Sequence, residues 1–252
     1  MVTRSEITLL KSLQHKKYRS IHSQFIIEGT RIVEEALTGS YVIDKVYISE
    51  TFGSKLREQN LLKNLSNNKI KPIQISEYEL TNISGTVNSQ GIIAVLNIPK
   101  QAENKSDTSS ICIYLDGIQD PGNMGTILRT VTWFGIKSVY LSLECVDIYN
   151  PKVLRAGMGA HFHTAIVPNF SIDAIKKSGY TIVAADQNGS PIGEFDNKSA
   201  LPICLVLGSE AHGISDQIKP YVEYYVSVPG KGEIDSLNVT VAGGILLHYF
   251  TK

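Results

Sequence analysis

Glycines and hydrogen-bonding side chains coincide at two places near the C-terminal end of this 252-residue sequence. One is LVLGSEAHGIS, residues 205–215, and the other is VSVPGKGEIDSLNVTVAGGILLHYF, residues 226–250. Each joins an apolar run to a glycine-bearing loop. Gly208 and Gly213 in the first loop, and Gly230 and Gly232 in the second, leave backbone uncovered by Cβ atoms, so a ligand can approach it closely. Glu210, Ser236 and Asn238 set a carboxylate, a hydroxyl and an amide beside that backbone. In an open α/β sheet such loops gather at the carboxyl ends of strands, where ligands bind. Any one of these glycines reads as a surface turn, and the functional reading rests on their joint occurrence. A third stretch, LDGIQDPGNMGTILRTVTWFGIKSVYL at 115–141, adds Asn123 and Arg129. Helical periodicity sets Arg129 opposite the arc of Ile127, Leu128, Val131 and Phe134. By that criterion alone it is a solvated surface charge.

Taken together, the three stretches resemble the three ordered motifs of the SpoU/TrmH family, the RNA ribose 2'-O-methyltransferases of the SPOUT class. The resemblance implies S-adenosylmethionine as methyl donor, an RNA substrate, no metal, a homodimer, and a catalytic domain tied in a deep trefoil knot. It makes Arg129 the catalytic arginine, with Asn123, Glu210, Ser236 and Asn238 orienting arginine, ribose and methyl group. Donor contacts fall to the backbone at Gly208, Val228 and Leu237, with Gly213 and Pro229 in the same loops and Ala185 in the loop after YTIVAA as a further wall. An arginine acting as base is hard to reconcile with its high pKa. It can instead bind the adjoining phosphate and stabilise charge developing on the ribose oxygen, and the sequence does not choose between the two roles.

Other site chemistries lack their patterns. Gly157 and Gly159 begin like a dinucleotide fingerprint, but Phe162 stands where the third glycine belongs. There is no G-x-x-x-x-G-K-[ST] phosphate loop and no G-x-S-x-G elbow. His161 and His163 have no Cys, Asp or Glu at ligand spacing, so they read as core or surface histidines.

The elements that must position these residues alternate along the chain. From Ile111 onward, ICIYL reads as a strand. A helix follows with Asn123 as its cap and Gly135 at its end, and SVYLS is the next strand. NPKVLRAGMGAHF starts another helix at Asn150 and Pro151, in which Gly157 and Gly159 call for close packing. HTAIV, YTIVAA and PICLVL are further strands, with DQNGSP a turn after the second. This half is therefore α/β with a mostly parallel sheet. Residues 1–98 form a smaller α/β domain, with strands QFIIEG, VIDKVYIS, KIKPIQIS and QGIIAVLNI and a capping-box spacing at Ser76 and Glu79. Its string FIIEGTRIVEEAL is similar to the ribosomal-protein-like RNA-binding domain attached to many SpoU/TrmH enzymes. The polar stretch 99–110 reads as a linker and 111–252 as the catalytic domain.

Charge is balanced, with 24 basic and 24 acidic residues, which argues against nonspecific coating of nucleic acid. Basic residues nevertheless cluster near the N-terminus. Lys16, Lys17 and Arg19 could meet phosphates and Tyr18 could stack on a base. The competing reading is a helix end made basic to suit its dipole. Cys112, Cys145 and Cys204 show no paired spacing and read as reduced thiols. With no membrane-length apolar run and no signal-peptide core at the start, the expected location is the cytoplasm. Ribosomal RNA is the expected substrate. The alternatives are tRNA, a noncatalytic RNA-binding protein that retains the fold, and a small-molecule dehydrogenase or nucleotide enzyme, which the missing phosphate fingerprints disfavour.

Overall fold

The computed structural model describes residues 2–86, 89–99, 110–196, 199–233 and 236–252. The expected linker lies outside them apart from its end residues, Pro99 and Ser110. In chain order the first elements are α1 (Arg4–Ser12), α2 (Lys16–His22), β1 (Gln24–Glu28), α3 (Thr30–Thr38) and β2 (Ile43–Ser49). There follow α4 (Leu56–Asn67), β3 (Ile73–Ile75), α5 (Glu77–Ile83) and β4 (Ile92–Asn97). The rest are β5 (Ile111–Leu115), α6 (Pro121–Trp133), β6 (Ser138–Leu141), α7 (Pro151–Gly157), β7 (Ala165–Val167), α8 (Ile172–Lys177), β8 (Thr181–Pro191), β9 (Ile203–Leu207), β10 (Tyr224–Ser227) and α9 (Val239–Phe250). They form two compact units, Met1–Gln101 with Asp147–His163, and Ala102–Val146 with Thr164–Lys252.

The first unit is built on a sheet of order β1-β4-β2-β3, with β4 antiparallel to both neighbours and β2 parallel to β3. Alternate residues of a strand face opposite sides. Ile26, Tyr47, Ile93 and Val95 accordingly meet Leu10 of α1, Leu13 at its C-cap, and Leu80 and Ile83 of α5. Phe25, Ile27, Val46 and Ala94 meet the apolar stripes of α3 and α4 on the other side. The capping box at Ser76 and Glu79 forms as its spacing predicts.

Here the structure departs from a single boundary near residue 100. Asp147–His163, expected to run on within the catalytic half, completes the second core of the first unit instead. Leu154 and Phe162 are buried in that core, and Tyr149 lies against Phe25 with ring centroids 4.6 Å apart. Gly157 ends α7 rather than lying inside a longer helix, and Gly159 follows at φ 98°. A Cβ on Gly159 would stand 2.7 Å from Cβ of Glu35, so the close packing expected of these glycines is met in the turn after the helix.

In the second unit the order is β10-β8-β9-β5-β6-β7, and every described pairing is parallel. β5 and β9 are buried at every residue and read as continuous apolar runs, as central parallel strands do. From β5 the chain steps outward through β6 and β7, then returns to β8, and β9 fills the place between β8 and β5. The strand order thus reverses beside β5 and β9, and in such sheets the crevice at the carboxyl ends of those strands is where ligands bind.

Candidate active site

Three separated loops meet at that crevice. The loop after β5 starts α6 with Asp120 as cap, its Oδ1 accepting the Asn123 N–H at 2.8 Å, and Pro121 in the first turn. This corrects the expectation that Asn123 caps the helix. With Asp120 in that role, the Asn123 side chain is free to reach across the crevice. Its Nδ2 donates to the Glu210 carboxylate in the loop after β9, and its Oδ1 accepts from Asn238 Nδ2 at 3.2 Å. Asn238 is itself the cap of α9, its Oδ1 accepting from the Thr240 N–H at 2.8 Å and the Thr240 hydroxyl at 2.6 Å. Those two donors fix which end of the Asn238 amide faces Asn123, and Asn238 in turn fixes the Asn123 amide. A carboxylate at Glu210, an acceptor only, closes the sequence of donors and acceptors.

The loop after β9 holds a tight shape. Ser209 and Gly213 exchange backbone hydrogen bonds of 3.0 and 2.9 Å. A Cβ on Gly208 would stand 2.4 Å from the Gly213 carbonyl, a space only glycine leaves free. A Cβ at Gly213, Gly230 or Gly232 would meet nothing within 4 Å, so the outer backbone of both glycine loops is bare. Sequence reasoning passed over Asp116, the buried residue directly after β5. Its Oδ2 accepts the Ser215 N–H at 2.7 Å and pins the far end of the Glu210 loop. The signal was an acidic residue directly after the apolar run ICIYL.

The expected turn DQNGSP lies within the long strand β8 but leaves its pairing. Ala184 pairs with Tyr225 and the next residue of β10, Val226, pairs with Ser190, so 185–189 are extruded from the ladder. Ala185 therefore follows the carboxyl end of the paired part of β8, between the strands that lead to Gly208 and to Val228 and Pro229. The cofactor residues read from sequence are in this way carried on neighbouring parallel strands, and Leu237 is exposed next to Asn238.

Asn123, Glu210 and Asn238 are joined by hydrogen bonds, whereas Arg129 and Ser236 are outside that network. Arg129 is exposed on α6, as its phase predicts, and lines a shallow depression with Thr126, Thr130 and Trp133. Ser236 is exposed and has no hydrogen bond among the described residues. No cluster of three or more His, Cys, Asp or Glu residues that could hold a metal occurs among the described residues. His163 pairs with Glu35 at 2.8 Å, and His161 is buried, its Nε2 donating to the Ile148 carbonyl at 2.8 Å.

In the first unit Lys16 and Lys17 are exposed, and Lys17 Nζ lies 5.9 Å from the centroid of the partly exposed Tyr18 ring. Arg19 is a correction. It is only 3% exposed, donates to Asp147 Oδ2 at 2.5 and 3.1 Å and to the Leu13 carbonyl at 2.8 Å, and has no phosphate-facing surface. The sequence showed a basic cluster, and only the fold reveals which member is spent on an internal pair.

A parallel α/β unit whose switch point carries a polar trio held by a helix cap, beside two bare glycine loops, defines a class of enzymes that bind a cofactor at strand ends. The chain belongs to the SpoU rRNA Methylase family, whose model matches residues 110–248, and residues 4–94 match the MRM3-like substrate binding domain. It is 31% identical over 244 residues to the 23S rRNA (guanosine(2553)-2'-O)-methyltransferase RlmP of Bacillus subtilis, covering 95% of this chain and 93% of that one. A solved putative RNA methyltransferase of the TrmH family from Porphyromonas gingivalis is 30% identical, with TM-score 0.85, 99% of this chain and 98% of that one covered. The AviRb methyltransferase of Streptomyces viridochromogenes, crystallised in complex with AdoMet, shares the fold at TM-score 0.84 and 20% identity, with 99% and 97% covered. No helix among the described residues is long and apolar enough to cross a membrane.

Proposed function

We propose that this protein transfers the methyl group of S-adenosylmethionine to a ribose 2'-hydroxyl of ribosomal RNA, as a cytoplasmic homodimer. The observation that carries the reading is the hydrogen-bonded trio Asn123, Glu210 and Asn238, drawn from three loops that are far apart in sequence. S-adenosylmethionine, held by the glycine loops at Gly208, Gly213, Val228 and Pro229 with Ala185 and Leu237 beside it, supplies an electrophilic methyl group. The chain's own residues have the remaining tasks. Arg129 binds the phosphate adjoining the target ribose and stabilises negative charge gathering on the 2' oxygen, a task suited to a permanently charged, forked donor. The trio holds the loops in register, and Ser236 orients the acceptor. Placing the two reactants in contact is itself a large part of such catalysis. The knot that the family resemblance implies belongs to this proposal too.

Dimerisation is supported by an apolar surface on α6, α9 and the residue before the α9 cap. Trp133 is 85% exposed, and Leu237, Val241 and Ile245, spaced four apart, are exposed as well. A second copy covers these residues in the proposed assembly, beside Arg129. Sedimentation of Trp133→Glu should show a monomer, and an unchanged dimer removes this surface from the interface.

The first unit is proposed to hold the RNA through Lys16, Lys17 and Tyr18. Removing residues 1–98 would bare Leu154 and Phe162, so the test uses the full chain. Mapping of 2'-O-methyl groups in total RNA, with and without the protein, should reveal one lost ribosomal site. A lost tRNA site would move the substrate to tRNA. Arg129→Ala should abolish methyl transfer while the circular dichroism spectrum is retained, and near-normal turnover would refute its role.

A further inference from the structure

We propose that Lys152 and Arg155 of α7 bind the RNA sugar–phosphate backbone. The substrate surface of the first unit then includes a helix taken from the middle of the methylase sequence. This rests on the RNA methyltransferase reading above. The family models divide the chain between residues 4–94 and 110–248, which leaves α7 with the methylase. In the structure α7 belongs to the first unit and packs on the edge strand β1, as α2 does. The Arg19 to Asp147 ion pair fastens α2 to the segment four residues before α7 begins.

Charge bookkeeping then singles out two side chains. Asp147 is the only acidic residue in Asp147–His163, and Arg19 neutralises it. His163 is paired with Glu35. Lys152 and Arg155 remain, exposed and half-buried respectively, and neither side chain has a hydrogen bond or ion pair among the described residues. A half-desolvated guanidinium keeps a fork of donors that fits a phosphate. Lys152 sits in the first turn of α7, where a cation opposes the helix dipole, so helix stability does not account for it. Phosphate-bearing RNA fits better than an acidic protein because Tyr18, exposed beside Lys17, offers a base a ring to stack on.

The test uses the full-length protein and deproteinised ribosomal RNA from cells lacking it, in filter binding over a range of KCl. Lys152→Glu with Arg155→Gln should weaken binding at least tenfold. The plot of log Kd against log salt should become shallower by about 0.7–0.9 per lost phosphate contact. The KM for RNA should rise, with kcat and S-adenosylmethionine affinity unchanged, and Lys152→Arg should behave as wild type. If the double variant binds within twofold of wild type while Lys16→Glu with Lys17→Glu weakens binding, α7 is excluded and the RNA reading stands. If neither pair matters and no RNA is methylated, the RNA reading fails and takes this proposal with it. Should Arg155→Gln misfold, Lys152→Glu alone decides, with a loss under twofold overturning the proposal.

Discussion

Asn238 does two jobs with two ends of one amide, and Asn238→Asp separates them. An aspartate caps a helix as well as asparagine does, so acceptance from the Thr240 N–H and hydroxyl should survive, aided by the helix dipole. The donor that faces Asn123 Oδ1 at 3.2 Å is lost, however, and an oxygen replaces it. Asn123 then has two poor choices. It keeps its amide toward Glu210 and sets its own oxygen against the new carboxylate, or it turns over and sets that oxygen against Glu210. Either way a hydrogen bond worth about 0.5–1.5 kcal/mol is lost and two acceptors face each other. With these side chains partly solvated, we expect a total of about 1–2 kcal/mol, or roughly a 5- to 30-fold loss in kcat/KM. The melting temperature should fall only by the few degrees that this loss implies for a chain of this length. A reversal is available, because Glu210→Gln in the same background supplies a donor to the turned-over Asn123. Asn238→Asp should also weaken S-adenosylmethionine binding, read by calorimetry, and the pair should regain that affinity whatever Glu210 itself contributes to turnover. A single variant with kcat/KM within twofold of wild type would show that the trio does not support catalysis. A large fall in melting temperature would contradict the capping argument.

Two further perturbations test the loop and the first unit. Gly208→Ala drives a methyl group into the Gly213 backbone and breaks the Ser209 to Gly213 bridge, with an expected cost of about 2–5 kcal/mol from overpacking and two lost backbone bonds. Calorimetry should show S-adenosylmethionine binding lost, whereas Gly230→Ala, with open space around it, should fold normally. Burial pulls His161 down to about 4 from 6.5, so the folded protein keeps it neutral while the unfolded chain takes up a proton below about 6.5. Stability is then fully present above pH 6.5 and falls as pH drops toward 4, by up to about 3 kcal/mol. Thermal melts of His161→Gln should lack that slope between pH 6.5 and 5, and an unchanged slope would assign the effect to other groups.

What the sequence determined by itself was whatever depends on short range and periodicity. The runs ICIYL and PICLVL read as strands because they are short, apolar at consecutive positions and bounded by turn residues. Glycine loops directly after such runs had to gather at strand ends, and the helical phase of Arg129 left it exposed. Motif order was enough to resemble a family. Tertiary structure decided what depends on partners distant in the chain. Asn123 has a cap residue's type and position in the sequence, but Asp120 takes that place and the amide meets Glu210 and Asn238, 87 and 115 residues away. Arg19 was one basic residue among several until Asp147, 128 residues on, buried it. Likewise Asp147–His163 read as part of the catalytic half because nothing in its own residues says which core Leu154 and Phe162 will complete. Apolar burial has no direction in sequence, and only the packed fold shows which cavity a side chain fills.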